Sequence, residues 1–132
     1  MPGLLIHDGY TLSDSIAAQK GFPEVKFQYR PALPDQMNGW RTARIENGKD
    51  ATDALIKVLD KCLVSWDVTE KAGNLKKILG NPENLKEVAN EDVIMVPITE
   101  KTLRCVPDLI LKQLFDVVSG YGPDKRAEDV KN

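Results

Sequence analysis

Residues that could carry chemistry are few in this chain, and none of them forms a recognisable constellation. The single histidine, His7, has no second histidine to join it. Neither Cys62 nor Cys105 has a partner at the spacing of a zinc site. The glycines match neither the GxxxxGK[ST] nor the GxGxxG phosphate-binding pattern. We therefore predict no catalytic residue, no metal site and no cofactor.

The acidic pair Asp50 and Asp53 and the two cysteines are better explained by roles in folding than by roles in catalysis. Asp50 is expected to cap the helix that follows it, and Asp53 would lie in the first turn, where the helix dipole favours an acid. Cys62 and Cys105 lie among apolar neighbours in predicted helices, so we interpret both as reduced core residues. A dyad of His7 with a cysteine or serine has no support from spacing. A small enzyme is accordingly the least favoured class of function.

Composition limits the remaining classes. The chain has 132 residues, of which 42% are hydrophobic and 29% charged, with a net charge of −2. These values suit one domain with a modest core. No run of one charge sign indicates a nucleic-acid or membrane surface, and no apolar segment reaches the roughly 18 residues of a membrane span. The N-terminus lacks the features of a signal peptide. A cytoplasmic location is therefore expected.

The strongest folding signal lies between residues 50 and 68. Its apolar residues recur at steps of three and four, which predicts an amphipathic helix from Ala51 to about Val64. A second helix is predicted from Pro107 to Ser119, with Gly120 as its stop. The first helix needs a matching apolar surface, so the two helices should pack against each other and form the core.

Further elements are weaker or shorter. Residues 24–30 alternate between apolar and polar types, and Pro23 and Pro31 on either side favour a short or edge strand. The segment 11–20 could form a short helix, or an arm that orders only on a partner. The other predicted elements are a helix from Pro34 to about Glu46, a strand at 93–96, and a short helix from Glu100 to Val106 capped by Thr99 and Thr102.

Together these elements predict an α+β fold that is mainly α, with a helix pair as its core and a short two- or three-stranded sheet. We expect a flexible N-terminal arm at 1–22, one globular domain at 23–122 and a charged flexible tail at 123–132. Within the domain, residues 69–93 read as an insertion-like excursion with two short helical pieces. Trp66 is interpreted as a core residue, whereas Trp40 suits the core or a partner-binding surface about equally.

Three segments resemble one family, in the same order along the chain. They are VKFQYRPALP at 25–34, the helix end LVSWDV at 63–68, and VPITEKTLRCVPDLILKQLFDVVSGY at 96–121. This pattern is similar to that of the small tail assembly chaperone-like proteins of tailed bacteriophages and prophages. The link at 69–93 is longer than the resemblance leads us to expect.

The resemblance implies a non-enzymatic role in tail morphogenesis inside the host cell. Such a protein would bind the tape measure protein, the tail tube protein or both, and would keep the tape measure protein soluble until tail tube subunits polymerise around it. It would act as a homo-oligomer without nucleic acid, membrane or cofactor. The candidate partner-binding surface combines the Trp40 helix with whatever part of the C-terminal helix the core leaves uncovered. Its residues would be Met37, Trp40, Arg44, Ile110, Leu114 and Val118.

A second class of function stays open. The same fold could serve as a structural virion protein, such as a tail or head–tail joining subunit that forms rings. Mass spectrometry of purified particles separates the two classes, because a chaperone should be absent from them and a structural subunit abundant. A host regulator or adaptor is a further alternative.

Overall fold

The computed structural model describes residues 11–47 and 51–120. The fold is α+β and mainly α, as predicted. The predicted tail at 123–132 lies outside the described residues. The helix that begins at Thr52 has Ala51 as its N-cap, with no side-chain cap bond, so the assignment of the cap to Asp50 was wrong. The elements in chain order are β1 (Leu12–Ile16), β2 (Val25–Tyr29), α1 (Pro34–Asn47), α2 (Thr52–Cys62), β3 (Leu63–Trp66), β4 (Thr69–Lys71), α3 (Ala72–Leu79), a 3-10 turn (Glu83–Leu85), β5 (Val93–Met95), α4 (Glu100–Leu103) and α5 (Asp108–Ser119).

The helix pair forms the core, as predicted. Helix α2 buries four residues, and α5 buries five against them. Leu59 on α2 and Leu114 on α5 have no exposed surface. Helix α5 ends at Gly120, whose φ of 85° is the left-handed conformation that glycine adopts without strain. The buried residues of the two helices are Ile56, Val58, Leu59, Cys62, Ile110, Leu111, Leu114, Phe115 and Val118.

Strand β2 is confirmed, but it is not at an edge. It lies between β1 and β3 in an antiparallel sheet of order β1-β2-β3. Val25, Phe27 and Tyr29 are buried, and the residues between them are exposed. Of the two predicted alternatives, a short strand or an edge strand, the short strand is correct, since β2 has five residues. Pro23 and Pro31 lie outside it and remove no hydrogen bond from its ladders.

The helix predicted at 11–20 was wrong, because β1 pairs with β2 in a hairpin. Lys20 and Gly21 both have positive φ, at 48° and 83°. Two consecutive positive φ values are typical of the tight turns that match the twist of two antiparallel strands. The described part of the arm predicted at 1–22 therefore contributes a strand to the sheet.

Helix α2 ends earlier than predicted, because the chain changes directly from helix to strand. The predicted end was near Val64, whereas α2 ends at Cys62 and β3 begins at Leu63. Leu63 is extended, with ψ of 125°. The β-branched and aromatic residues of LVSW suit a strand, and pairing with β2 outweighs the helical spacing of Trp66.

The segment 69–93 packs as part of the domain. Its first strand, β4, pairs with β5, which lies at its far end. Ala72, Leu75 and Leu85 are buried in the core. The Lys76 ammonium donates to the Val88 carbonyl at 2.6 Å, which holds the loop after the 3-10 turn against α3. An excursion that buries side chains in this way belongs to the folded unit.

Two smaller features complete the comparison with the sequence. The capping box of α4 is present, with Thr99 and Thr102 bonding each other's backbone N–H groups. The helix is shorter than predicted, since it ends at Leu103. Cys105 follows it and is exposed, so its assignment to the core was wrong. Across residues 11–47 and 51–120, no helix has the length and apolar character needed to cross a membrane.

Candidate partner-binding surface

Metal-ligating side chains do not cluster within residues 11–47 and 51–120. No group of three or more His, Cys, Asp and Glu side chains there could hold a metal ion. Burial raises the pKa of the Cys62 thiol to about 11, so this thiol stays protonated near neutral pH. His7 lies outside the described residues.

Four of the six predicted partner-binding residues lie in the core. Met37 is 3% exposed, and the three residues of α5 in the set are equally enclosed. No partner can contact them unless the helices separate. Trp40 and Arg44 remain at the surface, on α1. The four enclosed residues are Met37, Ile110, Leu114 and Val118.

Trp40 links the core to the surface. Its ring packs on Phe115 of α5, with ring centroids 4.9 Å apart and planes tilted by 43°. The Arg44 guanidinium carbon lies 5.1 Å from the centre of the Trp40 ring, close enough for a cation–π interaction. The indole is only partly buried. One part of Trp40 therefore packs in the core and another part is accessible, and its role in partner binding stays a prediction.

A groove of about 380 Å³ runs beside Trp40, between α1 and α2. Small side chains create it, because Gly39, Ala43 and Ala54 leave the facing helices without bulky residues between them. Val58 lies beneath, and lysines and acids line the rim. The groove-lining residues are Asp35, Gln36, Gly39, Trp40, Ala43, Asp53, Ala54, Lys57, Val58 and Lys61.

Some charged side chains on the rim of the groove form ion pairs and others do not. Asp53 lies 2.7 Å from the Arg104 guanidinium, so its charge is paired. Lys57 and Lys61 have no ion pair within residues 11–47 and 51–120. They are one helical turn apart on α2, where two like charges repel each other. Together with Asp35 they leave the groove with a small positive excess, which an acidic partner would neutralise.

The sequence reasoning missed this groove, although it contained one relevant signal. Gly39 and Ala43 are four residues apart, so they share a face of α1. Only the packing of α1 on α2 shows that Ala54, Lys57 and Lys61 face the same space. That packing is a tertiary property, and helical periodicity within one segment does not specify it.

A second concavity, of about 520 Å³, lies on the polar side of the sheet. It is shallow, and several of its polar groups already have hydrogen-bond partners. Ser65 donates to the Gln28 side chain at 3.1 Å, and the Asp67 carboxylate accepts from the Lys26 backbone at 2.9 Å. These bonds make the concavity a solvated sheet face and leave the α1–α2 groove as the better candidate.

The chain matches no protein-family model, and no curated protein or solved structure is significantly similar to it.

Proposed function

We propose that the protein is a non-enzymatic assembly factor of tailed-phage type, which binds a tape measure protein and keeps it soluble during tail assembly. The proposal combines the resemblance of three segments with the α1–α2 groove. A protein that holds a client must offer apolar surface to it and release it without covalent chemistry. The groove meets the first requirement, and this observation carries the proposal.

The groove suits a helical client segment. Its small residues allow close approach of a third helix, and the accessible part of Trp40 provides an aromatic contact. Lys57 and Lys61 would pair with acidic side chains of the client that are spaced one turn apart. Such pairing would relieve the repulsion between the two lysines in the free protein.

The test is the solubility of the client in cells that produce both proteins. The client is the protein encoded by the long coiled-coil-like reading frame that we expect directly downstream of the coding sequence of this chain. We expect the wild-type protein to keep the client in the soluble fraction. A Lys57→Glu/Lys61→Glu variant should lose most of this effect, since the groove would repel acidic residues.

Lys77→Glu/Lys101→Glu is the matched control. Both lysines are exposed on other helices and lie outside the groove, and the change in net charge is the same. The control should protect the client as well as the wild type does. If the wild type leaves the client insoluble, or if both variants behave alike, the proposal is wrong.

A structural virion protein is the alternative function. Mass spectrometry of purified particles from the same phage or prophage decides between the two. An abundant peptide signal from this chain in mature particles would replace the chaperone proposal by the structural one. Its absence from particles, together with a soluble client, would support the chaperone.

A further inference from the structure

Strand β5 exposes two large apolar side chains on a small sheet. Val93 is 63% exposed and Met95 is 56% exposed, and both lie on the same face of the strand. Their only strand partner in the described ranges is β4, on one side of β5. An edge strand with exposed apolar residues is a template for pairing with another chain.

The hydrogen bonds at the two ends of the β4–β5 ladder determine which backbone groups are free. The Val96 N–H donates to the Val68 carbonyl at 2.9 Å, and the Ala72 N–H donates to the Asp92 carbonyl at 2.7 Å. Bonded pairs alternate with non-bonded pairs in an antiparallel ladder. Ile94, midway between Asp92 and Val96, therefore also bonds across to β4.

The same alternation directs the backbone N–H and C=O groups of Val93 and Met95 away from β4. Nothing in residues 11–47 or 51–120 bonds these four groups. Unpaired backbone groups on an edge accept another strand readily, because the incoming strand supplies the missing partners.

Two other strand edges differ from β5 in this respect. On β1, the Asp14 carboxylate accepts a hydrogen bond from the Ser15 N–H at 2.7 Å. On β4, the Glu70 carboxylate accepts from the Lys71 N–H at 2.8 Å. In both places a carboxylate accepts the hydrogen bond of a backbone N–H that faces away from the neighbouring strand. The negative charge of the carboxylate also discourages pairing with another strand. Strand β5 has no such protection.

We propose that β5 pairs in antiparallel orientation with β5 of a second copy of this chain. A two-fold axis through Ile94 places Val93 of each copy opposite Met95 of the other. Both cross-strand pairs would then be apolar, and both would exchange two backbone hydrogen bonds. The β4–β5 sheets of two copies would merge into one sheet of four strands.

The two-fold register, which pairs Val93 with Met95 twice, favours a second copy as the occupant, and charge selects the antiparallel orientation. Antiparallel pairing places Asp92 and Glu91 opposite Val96 and Pro97 of the other copy, where no charge opposes them. A parallel arrangement would bring each acid close to its own equivalent. The edge is therefore complementary to itself in one orientation, and Pro97 limits the pairing to a short ladder.

Such a short interface gives a weak dimer. Stable complexes bury about 1,600 Å² in total, and two strands of three residues bury much less. We expect a Kd on the order of 0.1 mM. Concentration series of ¹⁵N-labelled protein up to about 1 mM, followed by NMR, should shift the amide signals of residues 93–95. Sedimentation over the same range should show the matching rise in mass.

Two substitutions test the geometry. Val93→Lys alone and Met95→Glu alone should each weaken the dimer about tenfold, since each places a charge opposite an apolar side chain. An equimolar mixture of the two variants should dimerise again, because each introduced lysine meets an introduced glutamate. The double variant Val93→Lys/Met95→Glu should also dimerise, with two such pairs.

Ile45→Lys is the control, because Ile45 is 85% exposed on α1 and distant in sequence from β5. It should leave the dimer unchanged.

The inference is wrong if the wild type stays monomeric throughout the series, or if the mixture and the double variant do not recover association. Shifts at residues 93–95 that occur only when a client peptide is added would assign the edge to the client instead. This surface is separate from the groove, so the solubility test of the proposed function can fail without affecting it.

Discussion

The same substitution, glycine to alanine, is expected to have opposite effects at two positions in this fold. Gly39 lies inside α1, and a Cβ atom built there would have no heavy atom within 4 Å. Alanine is favoured over glycine in a helix interior by about 0.8–1 kcal/mol, because glycine loses more backbone entropy on folding. Gly39→Ala should therefore raise the free energy of unfolding by about 0.5–1 kcal/mol.

Gly73 is the second residue of α3, and it lies against Asn90. A Cβ atom there would be 3.0 Å from the Asn90 Cβ and 3.3 Å from the Asn90 carbonyl oxygen. Asn90 cannot move away easily. Its carbonyl accepts the Gly73 N–H at 3.0 Å, and its side-chain oxygen accepts the Lys76 ammonium at 2.9 Å. Overpacking of this kind costs about 1–3 kcal/mol, so Gly73→Ala should lower the free energy of unfolding by about 1–2 kcal/mol.

Urea denaturation followed by far-ultraviolet circular dichroism measures both effects. Thermal denaturation of the same variants provides a second measurement, in which 1 kcal/mol corresponds to a change of about 3–5 °C in Tm for a domain of this size. An Asn90→Gly background provides the control, because it removes the Cβ that Gly73→Ala would contact. In that background the cost of Gly73→Ala should fall by at least about 0.5 kcal/mol. Stabilisation by Gly73→Ala, or destabilisation by Gly39→Ala, would refute this reasoning.

Three further predictions concern the core and the thiols. Trp66→Phe removes the buried bond from the indole N–H to the Val96 carbonyl, 2.7 Å long, and should cost about 1–3 kcal/mol in urea denaturation. An unchanged midpoint would contradict this prediction. Cys105 should react with a thiol reagent in the native protein, whereas Cys62 should react only after denaturation, since it is 1% exposed. Equal rates for the two thiols would contradict this assignment. Thr102→Val removes the hydroxyl of the capping box and should cost about 1–2 kcal/mol, again measured in urea.

The elements that could be predicted are those whose determinants are local. The spacing of Val58, Leu59 and Cys62 is sufficient to indicate a buried helix face, and Gly120 is sufficient to end α5. The capping box at Thr99 is likewise contained in four residues. Such signals need no knowledge of the rest of the fold.

The elements that could not be predicted depend on partners distant in the sequence. Residues 63–66 continue a helical spacing, and only pairing with β2 makes them a strand. The two cysteines have similar neighbours in the sequence, but α2 packs Cys62 inward, whereas α4 ends before Cys105. The candidate groove likewise depends on contacts between residues that are distant in the sequence. Its lysines are ordinary surface residues of α2 until α1 is packed beside them.

Under the proposed function, the groove and the β5 edge would act together on a long client. A dimer with a Kd on the order of 0.1 mM is mostly dissociated at low micromolar concentration. Two copies bound to neighbouring segments of one client experience a mutual effective concentration in the millimolar range. Under the proposed function, pairing through Val93 and Met95 would then occur mainly on the client. The copies would separate again once tube subunits displaced them, because the β5 pairing alone is weak. Low affinity at the β5 edge would thus allow assembly on the client and release from it.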